Sequence, residues 1–194
     1  MDMQAFLWEV NKLKGLTRTG WAVEKIARPE TVAEHSFGTA LLALLLAKDV
    51  DRDKAVQMAL VHDLAECIVG DILVDWKVSD FHKKALGGNH GITQAEKKDL
   101  ERRAMATLTD GLEGGERLLA LWNEVEDGKT KEAAFVRDLD KLDMLIQALI
   151  YEQTREVNLD HWLREARNQP KDPRLLAFYQ RLLADRNKNQ QATR

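Results

Sequence analysis

Apolar residues recur at helical spacing along nearly the whole chain, and nowhere does the two-residue alternation of a half-buried strand or an internal repeat appear. Phe6, Leu7, Val10 and Leu13 share one face of a first segment from Gln4 to Leu16, with Gly15 near its end. An irregular stretch follows as far as Pro29. Glu34 to Lys48 reads as a second helix, and Asp51 or Asp53 caps a third that continues to about Ile68. Periodicity fades between Ile72 and Ile92, where Gly87-Gly-Asn-His-Gly91 reads as a loop or a lid over a pocket. Further helices are expected over Thr93 to Leu108, Glu116 to Glu126, Thr130 to Glu156, His161 to Asn168 and Pro173 to Asp185. Residues 1–186 then form a single domain, and the polar end Asn187 to Arg194 forms a frayed tail.

The third segment carries the chemistry. Its string Met58-Ala-Leu-Val-His-Asp-Leu-Ala-Glu66 is apolar except for His62, Asp63 and Glu66, so the helix is expected to be buried. Burying an imidazole beside a carboxylate is costly unless both are compensated. A divalent cation compensates both, whereas an isolated His-Asp pair is more commonly satisfied by its neighbours. Glu66 lies one turn past His62, and Gly70 can turn the chain so that Asp71 returns a second carboxylate towards the same point. His35, in Glu34-His35-Ser36, completes the set upstream.

Five strings occur in order: Arg18-Thr-Gly-Trp21, Arg28-Pro-Glu-Thr-Val-Ala-Glu-His35, Ala59-Leu-Val-His-Asp-Leu-Ala-Glu66, Gly70-Asp-Ile72 and Asp138-Leu-Asp-Lys-Leu-Asp-Met144. In that order and spacing, over about Phe6 to Tyr151, the chain resembles the HD-domain metal-dependent phosphohydrolases of the 5′-deoxynucleotidase branch. The resemblance implies an all-α fold, the HD-domain helical bundle, with a divalent metal cation (Mn, Co, Mg or Fe) held by residues matching His35, His62, Asp63 and Asp140. It implies that Glu66 and Asp71 serve catalysis or a second cation. Periodicity alone does not choose Asp140, because Phe135, Leu139, Leu142 and Ile146 form a face flanked by Asp138 and Asp143. Asp138 therefore stays open as the alternative ligand, and the aspartates not used as ligands are expected on solvated or salt-bridged surface.

For substrate, Arg18 is the main expectation, since a guanidinium fork matches phosphate oxygens in pairs. Lys77 stands where the family often carries a basic residue, and Trp21 is expected to stack on or wall a sugar pocket. Trp8, Trp122 and Trp162 are expected in packing or at an interface.

Composition limits the partners. A formal net charge of −3 offers no field for a polynucleotide backbone, and the single cysteine, Cys67, excludes an internal disulfide. The longest apolar run, Ala40 to Ala47, is too short to cross a bilayer, so the expectation is a cytoplasmic protein with no membrane partner. The resemblance implies a phosphomonoesterase of 2′-deoxynucleoside 5′-monophosphates and a homodimer, for which a helix face bearing Trp162 or Phe178 is the candidate interface. Hydrolysis of nucleoside triphosphates or signalling phosphodiesters is one alternative. The other is a helical binding module around a structural metal.

Overall fold

The computed structural model describes residues 1–74, 91–155, 157–163 and 169–192. The expected lid at 87–90, Lys77 and most of the expected helix from His161 to Asn168 lie outside the described residues. Helices α1 (Met3–Asn11), α2 (Thr19–Val23), α3 (Val32–Leu46), α4 (Arg52–Val61) and α5 (Glu66–Val69) make the first half. The second half holds α6 (Gln94–Thr109), α7 (Gly115–Asp127), α8 (Lys131–Arg155), α9 (Asp160–Leu163) and α10 (Pro173–Ala192). Among the described residues there is no strand, only isolated bridges between Thr17 and Thr31 and between Val74 and Ile92.

Local chemistry sets the boundaries. Thr31 and Glu34 form a reciprocal capping box that starts α3, and Thr93 with Glu96 does the same for α6. Asp2 and Asp51 accept from Ala5 and Lys54 at the starts of α1 and α4, so four exposed amide starts are satisfied by the short polar side chains the sequence supplies. Gly128, left-handed at φ 62°, ends α7.

Four departures from the sequence reading matter. The first helix ends at Asn11 and tightens into a 3-10 turn over Lys12–Lys14. The irregular stretch contains α2, and α10 continues through the expected tail to Ala192. Most consequential, the third helix is not continuous: α4 stops at Val61, a turn spans 62–65, and α5 begins at Glu66. In that turn Leu64, Glu66 and Cys67 bond three residues back, to Val61, Asp63 and Leu64. The carbonyl of His62 turns out of the helical ladder and accepts from the Trp122 indole at 3.2 Å. A long-range donor thus satisfies the group that the break exposes.

The long helix α8 packs against α3, α4, α7 and α10. One core forms around it from Ala43, Met58, Val136, Leu139, Leu142 and Leu145, and a second gathers Val32, Val61, Met105, Leu108 and Trp122. The dyad turn sits where these two cores meet, which fixes it from both sides.

Candidate functional site

Pairing of the segments before α2 and α3 sets the first wall. Arg18 and Val32 donate backbone N–H bonds to Glu30 and Leu16 at 2.9 and 2.8 Å, laying the Arg18 loop against the start of α3. The chain after α5 closes the opposite side. Gly70 adopts φ 79° and ψ 167°, a conformation essentially restricted to glycine, and Asp71 returns as the sequence suggested. Its carboxylate accepts the Thr19 N–H at 2.7 Å, and Thr19 Oγ1 donates to the Asp71 carbonyl at 2.7 Å. This stitch, absent from any local pattern, is why α2 forms inside an otherwise irregular stretch.

His35, His62, Asp63 and Asp140 converge. His35 Nε2 lies 3.1 Å from Asp140 Oδ1 and 3.8 Å from Asp63 Oδ2. His62 Nε2 lies 3.2 Å from Asp63 Oδ2 and 3.4 Å from His35 Nε2. Bonds of about 2.0–2.2 Å to one first-row cation subtend donor separations of this size. The far ring nitrogens are also committed. His62 Nδ1 sits 2.7 Å from the Ala59 carbonyl and His35 Nδ1 sits 2.8 Å from Asp143 Oδ2, both pure acceptors. Each Nδ1 therefore carries the proton in the neutral ring, leaving both Nε2 lone pairs aimed at the same point. The donor set fits a divalent cation.

The charges agree. Burial and Arg18 oppose a proton on His35, yet its bonded carboxylates Asp140 and Asp143 outweigh them and push it up to about 9. Burial works against an ionised Asp63, and His62, Arg18 and His35 overcome it, holding the carboxyl well below the usual range. Asp140 is lowered as well, against its burial, chiefly by His35. Basic imidazoles and ionised carboxylates are what a cation replaces protons on.

Asp138 and Asp143 are ion-paired, with Lys141 at 3.8 Å and His35 at 2.8 Å, but neither is solvated surface. Asp138 is buried and accepts the backbone N–H groups of Lys171 and Asp172 at 2.8 and 2.6 Å, away from the imidazoles. Asp140 is the aspartate that geometry joins to the cluster. Asp143 orients His35, and Gly38 makes room for it: a Cβ there would lie 2.2 Å from Asp143 Oδ1.

Beside the cluster stand Arg18 and Glu66. Arg18 Nη1 donates to Asp63 Oδ2 at 3.0 Å, and Asp71, Asp63, Glu66 and Asp140 keep it charged despite its burial. Glu66 is only 2% exposed, and its Oε2 has no hydrogen-bond partner among the described residues. Burial, then Asp63 and Asp71, raise its pKa well above the ordinary value. Lys97 Nζ, 3.5 Å from Glu66 and 3.3 Å from Glu101, is the opposing charge, and no local pattern pointed to it. Glu101, beyond it, is pushed up to about 7 by burial.

Trp21 departs from expectation. Its ring is 3% exposed, packs on Tyr151 and Trp162 at 5.5 and 5.0 Å, and donates its N–H to Glu30 at 2.7 Å. An indole with two aromatic neighbours and a buried acceptor gains more in the core than on an open sugar platform.

A helical bundle that turns two imidazoles and two carboxylates onto one point, with a guanidinium and a buried carboxyl beside them, defines a helical metal-binding hydrolase-like domain. The sequence matches the HD domain over residues 10–175. The chain belongs to the HD-domain family. It is 39% identical over 153 residues to the 5′-deoxynucleotidase HDDC2 of Dictyostelium discoideum, covering 73% of each chain. The human 5′-deoxynucleotidase HDDC2 is 39% identical over 150 residues, 76% of this chain and 67% of that one. Among solved structures, the PH0347 protein of Pyrococcus horikoshii matches with a TM-score of 0.66 at 30% identity, over 96% of this chain and 97% of its own. A predicted metal-dependent phosphohydrolase of Magnetospirillum magnetotacticum matches at a TM-score of 0.64 and 26% identity, over 95% and 91%.

Proposed function

We propose that this protein is a metal-dependent phosphomonoesterase that hydrolyses 2′-deoxynucleoside 5′-monophosphates to nucleoside and phosphate. The observation that carries the reading is Glu66: a buried carboxyl with one oxygen that has no partner among the described residues, placed beside a cation-binding set and an arginine. A structural metal site requires neither group. The deoxynucleotidase relatives supply the substrate class.

His35, His62, Asp63 and Asp140 hold the divalent cation, with Mn, Co, Mg and Fe as candidates. When bound, such a cation supplies Lewis acidity towards a phosphoryl oxygen and towards water. Glu66 orients the attacking water and takes its proton, a task for which a carboxyl raised above the ordinary carboxylate range is suited. Asp71, fixed by Thr19, serves the departing 5′ oxygen or a second cation. Arg18 neutralises the equatorial phosphoryl oxygens as charge spreads over them. Lys77 is assigned to the phosphate on its sequence position alone.

No described helix is long and apolar enough to cross a membrane. The reading places the enzyme in the cytoplasm, as a homodimer acting on a small nucleotide, with no polynucleotide or membrane partner.

Phosphate release from mono-, di- and triphosphates of deoxy- and ribonucleosides, after chelation and with Mg²⁺, Mn²⁺ or Co²⁺ restored, tests the assignment. Metal-dependent release confined to the deoxy monophosphates is expected. Cleavage of triphosphates alone, or metal uptake with no hydrolysis of any of them, overturns it.

A further inference from the structure

Helix α6 opens with a lysine in an unfavourable place. Its capping box puts Lys97 at the fourth helical position, near the positive end of the helix dipole, which disfavours a cation. The side chain is nevertheless turned inward, only 18% exposed, where α6 packs on α5. The next residue, Lys98, is engaged elsewhere, by Glu126 at 3.7 Å.

Lys97 joins two acids that burial would otherwise leave without a counter-charge. Its Nζ lies 3.5 Å from Glu66 Oε1 and 3.3 Å from Glu101 Oε1, and among the described residues no other cation makes an ion pair with either. Burial opposes the charge on Lys97, and Glu66 and Glu101 outweigh it. Glu101 stands one turn further along α6, so the two side chains share a helix face and Glu101 holds the ammonium in place. Glu101 is itself only 7% exposed. Two buried acids sharing one ammonium make a poor device for stability, because the desolvation of the second acid is only partly offset. They make a good device for holding the first acid still.

We propose that Lys97 is a positioning residue for the hydrolysis: anchored by Glu101, its ammonium holds Glu66 through Oε1 and leaves Oε2 for the attacking water. The proposal rests on the reading of Glu66 given above. The asymmetry of the carboxyl carries it. One oxygen faces a fixed charge, while the other is buried with no hydrogen-bond partner among the described residues. A partner on one oxygen alone restrains the rotation of the carboxyl and keeps the second oxygen available to a proton. Lys97 reaches the reaction only through Glu66, which separates its part from that of Arg18, placed against Asp63 on the other side.

Steady-state kinetics on the metal-loaded protein, with the deoxynucleoside monophosphate it cleaves fastest, tests the role. Lys97→Met is expected to lower kcat roughly 10- to 10²-fold with KM and metal content near native, because a carboxyl displaced by about an ångström loses its alignment. Lys97→Arg keeps the charge and is expected to recover most of the loss. In a Glu66→Gln background Lys97→Met is expected to cost little more, since the group it positions has already lost its function. Glu101→Gln is expected to lower kcat by roughly 2- to 5-fold while the melting temperature holds or rises. A purely structural ion pair does not give that combination, and it keeps the test open should Lys97→Met fail to fold. Native kcat in folded Lys97→Met overturns the proposal, as does a full additional loss in the double variant. A raised KM with unchanged kcat also overturns it and makes Lys97 a substrate contact. Near-native kcat in Glu66→Gln overturns the reading of Glu66, and the role of Lys97 with it, whereas a low kcat there beside a native one in Lys97→Met removes Lys97 alone.

Discussion

The two ends of the site are built on opposite physical terms. At the imidazole end the groups have partners that orient them: Asp143 and the Ala59 carbonyl fix the rings, and Arg18 fixes Asp63. At the Glu66 end a carboxyl is buried with one oxygen unmet among the described residues and a lysine at 3.5 Å. A preorganised donor set binds, because little reorganisation remains when the cation arrives. A desolvated, underused carboxyl is held at a cost that chemistry explains better than stability does. The difference separates holding from reacting, and it can be broken experimentally at either end.

The largest effect is expected at the imidazole end. His62→Ala or Asp63→Ala removes one of the four converging donors, so bound metal and turnover fall together. Thermal stability falls too, because a cation that binds only the folded state stabilises it by linkage. Chelation of the native protein should lower its melting temperature in the same direction, and metal should restore it. Elemental analysis checks the first statement, and full metal content in folded His62→Ala contradicts the ligand assignment.

Next comes the reacting end. Glu66→Gln keeps the shape and removes the proposed base, so kcat is expected to fall on the order of 10²–10⁴ while metal content stays near native. Measured side by side with His62→Ala, this is the direct test of the division. Loss of metal in Glu66→Gln would move Glu66 to the holding end, and near-native kcat would leave it as a buried carboxyl without a part in the reaction.

A smaller effect probes how the holding end is held. Asp143→Asn weakens the acceptor on His35 Nδ1 and is expected to lower metal affinity about 10- to 100-fold. Gly38→Ala should act in the same direction without touching either residue, because its Cβ occupies the space of the Asp143 carboxylate. Competition with a metal-binding dye reads both. Native affinity in the two variants would reduce Asp143 to a bystander.

These residues also mark how far the sequence could be read. The dyad, His35 and the Gly70 turn were legible because each is a polar interruption or a conformational exception within a short window. The break after Val61 was not, since the bond from Trp122 that satisfies the His62 carbonyl comes from another helix. Asp143 and Lys97 were hidden for the same reason: each acts on a residue of a different helix, His35 or Glu66. The all-helical class followed from periodicity, but α8 buries Ala133, Phe135, Val136, Leu139, Leu142 and Leu145 around most of its circumference. One apolar stripe could not say which aspartate points to the imidazoles, and only the resemblance chose Asp140.

That last ambiguity yields the finest test, because Asp138 and Asp140 are two residues apart on one helix and have opposite fates. Asp140 stands among the imidazoles and is proposed for the holding end. Asp138 accepts two backbone N–H groups, Lys171 and Asp172, in the segment that leads into α10. Removing it leaves those donors to find water and loosens the approach of α10 to α8. Bonds to a charged acceptor contribute about 1–3 kcal/mol net, so Asp138→Ala is expected to lower the melting temperature by several degrees. Metal content and kcat should stay near native. Asp140→Ala should reverse the pattern, losing metal and activity. Calorimetry paired with elemental analysis on the two variants decides the matter, and metal loss in Asp138→Ala with retention in Asp140→Ala would exchange their roles.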